Sequence, residues 1–365
     1  MGIDKGDENW EVLRRFLPRD WELRARSLGA LTRQRKVSSP ERLLRILMIH
    51  LADGCSLRET AARAQAGKLA DISDVALLKR LRAASEWFRW MALCLLADRG
   101  VSTEQPEWLS GYQARTVDAS VVSEPGSTGT DWRLHYSLRL FGLHCDDFKI
   151  TRPHVGESLT NFAVAKGDLV IGDRGYCSLR SMHYVIQEGG DFLIRFRYRA
   201  CELLSGAGAV FPVLSELGSL NTGEVGEWQL LVSGEDYAPL AVRLCAIRKS
   251  PEAAEQAIRK ARKQASKKQK SISPETLELQ RYVIVLISVG SERISKMRIM
   301  ELYRCRWQIE IAFKRLKSIM GLGQLPKKDL ESARAWLHGK LLVALLVQAI
   351  VDEGRFFSPW GYPLQ

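Results

Sequence analysis

Residues 114–122 read ARTVDASVV and residues 168–173 read DLVIGD. The first is a β-rich run with an acid, Asp118, in its middle. The second is a continuous apolar run that ends on an acid, Asp173. Between them RLHYSLRLFG (133–142) alternates, and FKITR (148–152) follows a turn at Asp146 and Asp147. The pattern predicts three strands, a short helix over 158–165, and a strand closing on Asp173. A helix over 179–188 and the strand DFLIRFR come next, which is an α/β order. A buried strand rarely tolerates an acid without a partner or a cation. Carboxyl ends of strands are also where α/β sheets place their chemistry. Asp118 and Asp173 are therefore candidate functional residues.

The rest of the chain bounds what such acids can serve. At 365 residues, 46% hydrophobic and 26% charged, the chain suits two or three globular domains with a sizeable core. Its 54 Lys and Arg against 42 Asp and Glu leave a net charge of +12, which points to a polyanionic partner. The seven cysteines contain no C-x-x-C pair, which argues against a zinc site or a disulfide framework and for a reducing cytoplasm. MGIDKGDENW is no signal peptide, and the apolar run 341–351 is too short to span a bilayer, so no membrane role is expected.

Residues 1–110 read as helical. Pro40 starts one helix that Gly54 closes, Ser56 with Glu59 forms a capping box for the next, and Asp71 or Ser73 opens a third. Two short helices with a tight link, followed by Lys79, Arg80 and Arg82, resemble a helix-turn-helix, with a plain helical bundle as the alternative. Residues 111–199 form the first part of the α/β core. Over 200–281 the scheme breaks: LLSGAGAVFPVL, EWQLLV and LAVRLCAIR look like strands of a separate sheet, followed by a basic helical run. That run holds Arg259, Lys260, Arg262, Lys263, Lys267, Lys268 and Lys270 without matching acids, and is read as a DNA-backbone contact rather than a solvated helix. The core resumes over 282–345, opening with the buried strand YVIVLISV, and 346–365 is a tail.

ELYRCRWQIEIAFKRLKSIM (301–320) reads as one helix that Gly321 and Gly323 end. At about 100° per residue, Cys305, Ile309, Ala312, Phe313 and Leu316 make an apolar arc. Tyr303, Arg306, Glu310 and Lys317 make a polar arc beside it. Alone, that is the pattern of a surface ion-pair ladder.

TVDAS, VIGDRGY and Y-x2-R-x3-E-x6-K together resemble the DDE transposases of bacterial insertion sequences, in the family named for insertion sequence four. Tyr303, Arg306, Glu310 and Lys317 meet its Y-R-E-K signature at every position, and the likeness extends over about residues 40–345. The resemblance implies an RNase H-like catalytic domain interrupted by a mostly β insertion and preceded by an all-helical DNA-binding region. It marks Asp118, Asp173 and Glu310 as the catalytic, metal-binding triad, with two Mg²⁺ ions and Mn²⁺ able to substitute. Tyr303, Arg306 and Lys317, with Arg174 and Tyr176 of the DRGY motif, are implied to hold DNA phosphates. The implied partners are terminal inverted repeats and target DNA, with a homodimer in the DNA complex, a hairpin intermediate and a nucleoid-associated location. The chemistry suits the residues, because hard divalent ions take oxygen ligands and two of them activate and stabilise the oxygens of phosphodiester cleavage.

Competing assignments are a silent DNA-binding relic or transposition repressor, and another RNase H-like nuclease such as a resolvase. Asp146 and Asp147 are read as structural turn residues. Asp131 lies in a Gly/Ser/Thr-rich loop. His135 and His154 are read as packing or surface residues, and Trp228 as a core residue rather than a base-stacking one.

Overall fold

The computed structural model describes residues 5–97, 105–127, 131–142, 145–267, 269–318, 321, 325 and 329–354. Six helices come first: α1 (Lys5–Arg14), α2 (Trp21–Ser27), α3 (Pro40–Leu51), α4 (Leu57–Ala66), α5 (Asp74–Ala83) and α6 (Ser85–Ala97). Their starts are local chemistry. The Ser39, Ser56 and Ser73 hydroxyls accept the backbone N–H groups of Arg42, Glu59 and Ala76, satisfying donors a helix leaves orphaned.

Strands β1 (Gln113–Val122), β2 (Trp132–Arg139), β3 (Cys145–Thr151), β4 (Asp168–Gly172) and β5 (Asp191–Arg195) follow, with α7 (Leu179–Gln187) between the last two. Then come β6 (Glu202–Leu204), α8 (Val213–Gly218), β7 (Val225–Gly234), β8 (Tyr237–Arg248), α9 (Pro251–Lys267), α10 (Pro274–Glu278) and β9 (Tyr282–Ile287). The chain closes with α11 (Lys296–Arg304), α12 (Trp307–Ser318) and α13 (Leu330–Gly354). Residues 158–165 hold only a single 3₁₀ turn, Leu159–Asn161, where a helix is expected from the sequence.

The nine strands among the described residues join one sheet in the order β3-β2-β1-β4-β5-β9-β8-β7-β6. The strands of 200–281 are therefore no separate sheet. β9 pairs antiparallel with both β5 and β8, so the inserted strands extend the edge of the core sheet. β1–β4 and β4–β5 are the parallel pairs. Period-two alternation sorts side chains to two faces. Val170, Phe192, Ile194 and Leu286 pack with Met182 and Val185 of α7, while Leu169, Ile171, Leu193 and Ile287 pack with Ile299 and Leu302 of α11.

The helical region is not a detached module. Leu43, Leu47, Leu77, Trp87 and Phe88 share a single hydrophobic cluster with Leu134 and Tyr136 of β2, Phe313 of α12 and Leu337 and Leu342 of α13. Residues 330–351 of α13 are long and apolar enough to cross a membrane, but 61% of the most apolar stretch is buried against this cluster, as in a core helix. The helix also runs through 346, where the sequence suggests a tail.

The stretch 301–320 is not one helix. Cys305 N–H bonds Leu302 O and Arg306 N–H bonds Tyr303 O, three residues back, so the α-helical ladder breaks between α11 and α12. The break falls where the chain leaves one core for another: Leu302 and Tyr303 pack under the sheet, whereas Ile309 and Phe313 pack with the helical region. A single straight helix cannot present both sets.

At the opposite end of β4 from Asp173, four charges, Arg115 and Asp168 buried and Arg139 and Asp146 partly so, form a closed network. Arg139 Nε meets Asp146 Oδ2 at 2.7 Å and Nη1 meets Asp168 Oδ1 at 3.2 Å, while Arg115 reaches Asp168 at 3.2 Å and Asp146 at 3.6 Å. Asp146 and Asp147 thus sit on β3, not in a turn. Removing one member leaves two like charges sharing a single partner. Asp168→Ala is expected to cost about 3–5 kcal/mol in urea unfolding. Asp173→Asn, at the other end of the same strand, is expected to leave the unfolding midpoint unlowered.

Candidate active site

Strand register brings the first two acids together. The parallel ladder runs from Gln113↔Asp168 to Thr116↔Ile171, and the next step of two carries Asp118 level with Asp173. Asp118 lies opposite Tyr136 across the antiparallel ladder, and the Tyr136 ring meets Phe313 of α12 at 5.6 Å. That ring contact holds α12 against the strand carrying Asp118, with Glu310 one turn before it.

Each acid has a fixing bond. Ala119 N–H donates to Asp118 Oδ1 at 2.7 Å and Gly175 N–H to Asp173 Oδ1 at 2.8 Å. Burial, together with the neighbouring Asp173 and Glu157 charges, pushes the Asp118 carboxyl up to about 7 despite the Ala119 bond and Arg306. Glu310 is more exposed, and its Oε1 accepts from Arg306 Nη2 at 2.7 Å. Among the described residues no three His, Cys, Asp or Glu side chains stand close enough to hold one ion. Asp118 and Asp173 are near each other, and Glu310 is tied to them through Arg306, whose charge also acts on Asp118.

The other signature residues divide. Tyr303 is buried beside Arg195 and Arg306, and burial raises its hydroxyl above the usual range. Lys317 is exposed on α12. Arg174 lies at the rim, with Nη1 donating to Gln280 Oε1 at 3.3 Å; burial and then repulsion from Arg195 lower it to about 10. Tyr176 has no exposed surface, so its ring offers DNA no face. Its place is beneath the acids, against Phe162.

Beside Asp173 opens a cavity of about 670 Å³ walled by Arg174, Arg195, Lys249, Lys260, Lys270 and Arg306. One face of α9, through Ala257, Lys260, Ala261, Gln264 and Ala265, forms its far side. Asp173 is its only acidic lining residue among those described. Burial and then the Arg195 and Arg174 charges lower Lys249 to about 8. The Nε atoms of Arg174 and Arg195 are buried with no hydrogen-bond partner among the described residues. Arg195 and Lys249 were not singled out in the sequence, though Arg195 ends the strand next to Asp173's own, a position that signals chemistry.

The remaining sequence candidates scatter. Arg259, Arg262, Lys263 and Lys267 lie on α9 outside the cavity lining, and Lys268 lies outside the described residues. Lys79 is exposed on α5. Arg80 donates to Arg33 O at 2.9 Å and Arg82 pairs with Asp329 at 3.1 Å, so both arginines are taken up by contacts within the chain. His135 is buried against Thr151 Oγ1 at 2.9 Å, and burial lowers it to about 4. Asp131 Oδ2 accepts from Glu124 N–H, His154 is exposed, and Trp228 donates to Glu216 Oε2 at 3.1 Å beside Phe211.

Residues 149–346 match the Transposase DDE domain family. The chain is 34% identical over 362 residues, 96% of each sequence, to the Putative transposase InsL for insertion sequence element IS186A of Escherichia coli K12. It is 34% identical over 363 residues, again 96% of each, to the Transposase for insertion sequence element IS421 of Escherichia coli. More distantly, 204 residues are 25% identical to the Transposase for insertion sequence element IS231F of Bacillus thuringiensis subsp. israelensis, covering 52% of this chain and 43% of that one. With paired aspartates on adjacent parallel strands, a glutamate helix held beside them and a basic cavity alongside, this chain belongs to the DDE-domain transposases of insertion sequences.

Proposed function

We propose that this transposase moves its element by cut-and-paste, cleaving DNA at terminal inverted repeats and joining the freed 3′ hydroxyls to target DNA. The observation that carries this reading is the juxtaposition of partly buried acids and an unbalanced basic cavity at one end of the parallel strands. Nuclease chemistry on a polyanion needs both, side by side. The β3-β2-β1-β4-β5 part of the sheet supports an RNase H-like core, and the basic face of α9 supports a role for 200–281 as a DNA-gripping insertion.

Asp118, Asp173 and Glu310 would hold the divalent ions, Mg²⁺ or Mn²⁺. The donors fit, since all are carboxylate oxygens and Asp173 Oδ1 is already oriented by the Gly175 amide. Bound there, such ions supply Lewis acidity to the attacking and leaving oxygens of the phosphodiester. Arg306 bridges the two functions: it orients Glu310 through their 2.7 Å bond and presents its remaining donors to the cavity. Arg174, Arg195, Lys249, Lys260 and Lys270 would neutralise phosphates along the cavity, with Lys317 gripping the strand farther along α12. Tyr303 would orient Arg306 or a phosphate. The working form would be a homodimer on paired element ends, in the bacterial cytoplasm near the nucleoid.

Three outcomes check this reading. Glu310→Ala is expected to abolish cleavage of terminal-repeat DNA while gel-shift affinity stays within a few fold, since affinity comes mainly from phosphate neutralisation. Cleavage surviving in that variant overturns the triad, and a wild type that binds but never cleaves points to a silent relic or repressor. Replacing Lys260 and Lys270 with Gln is expected to flatten the salt dependence of binding by about 0.9 for each phosphate no longer neutralised, for specific and unrelated DNA alike. An unchanged slope returns α9 to a solvated helix.

The third outcome concerns pH. The Asp118 carboxyl titrates near 3.8 when unfolded and is raised to about 7 when folded. Ionising it therefore costs stability as pH climbs through that window. In metal-free protein, Asp118→Asn is expected to raise the melting temperature by roughly several degrees at pH 8 and to have little effect near pH 4, as read by thermal unfolding. A divalent ion should shrink the gain at pH 8.

A further inference from the structure

The glycine of the DRGY stretch raises a question that its backbone does not answer. Gly175 has no positive φ, so its conformation is open to any residue. Space is the constraint. A Cβ at Gly175 would lie 2.0 Å from Glu157 Oε2 and 3.0 Å from Asp173 Oδ1. Two carboxylates thus converge over one glycine, and the sum of those distances, about 5 Å, is the farthest apart these oxygens can be.

Glu157 comes from the loop between β3 and β4, and no spacing rule in the sequence marks it. It makes no hydrogen bond or ion pair among the described residues. Burial and the Asp173 charge raise its carboxyl above the usual range, with Arg133 opposing. Arg133 itself donates to Val155 O at 3.0 Å. Two acids this close without a paired cation repel each other, and a purely structural acid gains nothing from that position.

A second observation points to the same place from below. The Tyr176 hydroxyl has no exposed surface and no hydrogen-bond partner among the described residues. The charges that act on it are, in order, Asp118, Glu157 and Asp173, with Arg133 opposing them. A buried phenol left without a partner is costly, so a polar ligand among these acids is what its position calls for. Gly175, Tyr176, Asp118, Asp173 and Glu157 are therefore neighbours, and the approach of Glu157 to Asp173 over Gly175 is the close one among them.

We propose that Glu157 is a fourth carboxylate of the divalent-metal site, seated on the Asp173 side over Gly175. The proposal rests on the metal-dependent reading above and extends it. Where the triad would take its third acid from α12, a separate element, Glu157 already lies beside Asp173 and so biases that side toward binding an ion before DNA arrives. The glycine is then required because any side chain there would push Glu157 off the site.

Mn²⁺ binding to the full-length protein without DNA tests this, followed by electron paramagnetic resonance and by Mn²⁺-dependent thermal shift. Glu157→Gln keeps shape and removes charge. It is expected to weaken Mn²⁺ by about tenfold or more, without lowering the metal-free melting temperature. Gly175→Ala is expected to produce the same loss by displacing Glu157. Fe²⁺-generated hydroxyl radicals should cut the wild-type backbone near 157 and near 173, and excess Mg²⁺ should suppress both cuts. Mn²⁺ affinity in Glu157→Gln within twofold of wild type overturns the proposal. If Asp118→Asn also leaves Mn²⁺ affinity unchanged, the metal-site reading itself falls, whereas a loss in Asp118→Asn alone removes only the role of Glu157.

Discussion

The parallel pairing of β1 with β4 is the constraint on which the site depends. Its register, ending at Thr116↔Ile171, sets two acids level at the point where the ladder stops. Beyond that point the strands no longer satisfy each other, and Asp118 and Asp173 take backbone N–H groups from Ala119 and Gly175 instead. Burial raises Asp118 to about 7, and the like charges of Asp173 and Glu157 add to the rise. The ion-pair network of Arg115, Arg139, Asp146 and Asp168 pins the other end of β4, so the crowded acids are anchored from a satisfied base.

Electrostatics divides the neighbourhood into two zones that share a border at Asp173. On one side acids crowd together; on the other Arg174, Arg195 and Lys249 crowd together, and burial with that repulsion lowers Lys249 to about 8 and Arg174 to about 10. Each zone is unfavourable by itself. A polyanion in the cavity with cations among the acids relieves both, which on the proposed reading couples substrate binding to assembly of the site. Arg306 sits on the border, bonded to Glu310 and lining the cavity.

The break between α11 and α12 gives that border its shape. Tyr303 belongs to the core under the sheet and Phe313 to the core shared with the helical region, so the signature spans two hydrophobic clusters. The same sharing joins α1–α6 to the core that carries α12. Their apolar faces are already filled by β2, α12 and α13. Arg82, a helix-turn-helix candidate in the sequence, is drawn into this packing through Asp329.

Much was legible in the chain itself. Alternation and apolar runs identified the strands carrying Asp118 and Asp173, Pro40 and the Ser56 cap marked helix starts, and the Y-R-E-K spacing with two upstream acids identified the family. These are local patterns, carried by a few residues of backbone geometry. Tertiary structure alone decided the rest. That the inserted strands extend the core sheet depends on which edge is free to pair. That 301–320 breaks at Cys305 depends on two cores pulling one amphipathic stretch in different directions. That Arg195, Lys249 and Glu157 stand at the site depends on through-space charge and volume, which have no period in sequence. Gly175 carries the contrast most plainly: the sequence shows a glycine, and only the fold shows the carboxylate that fills the space of its missing side chain.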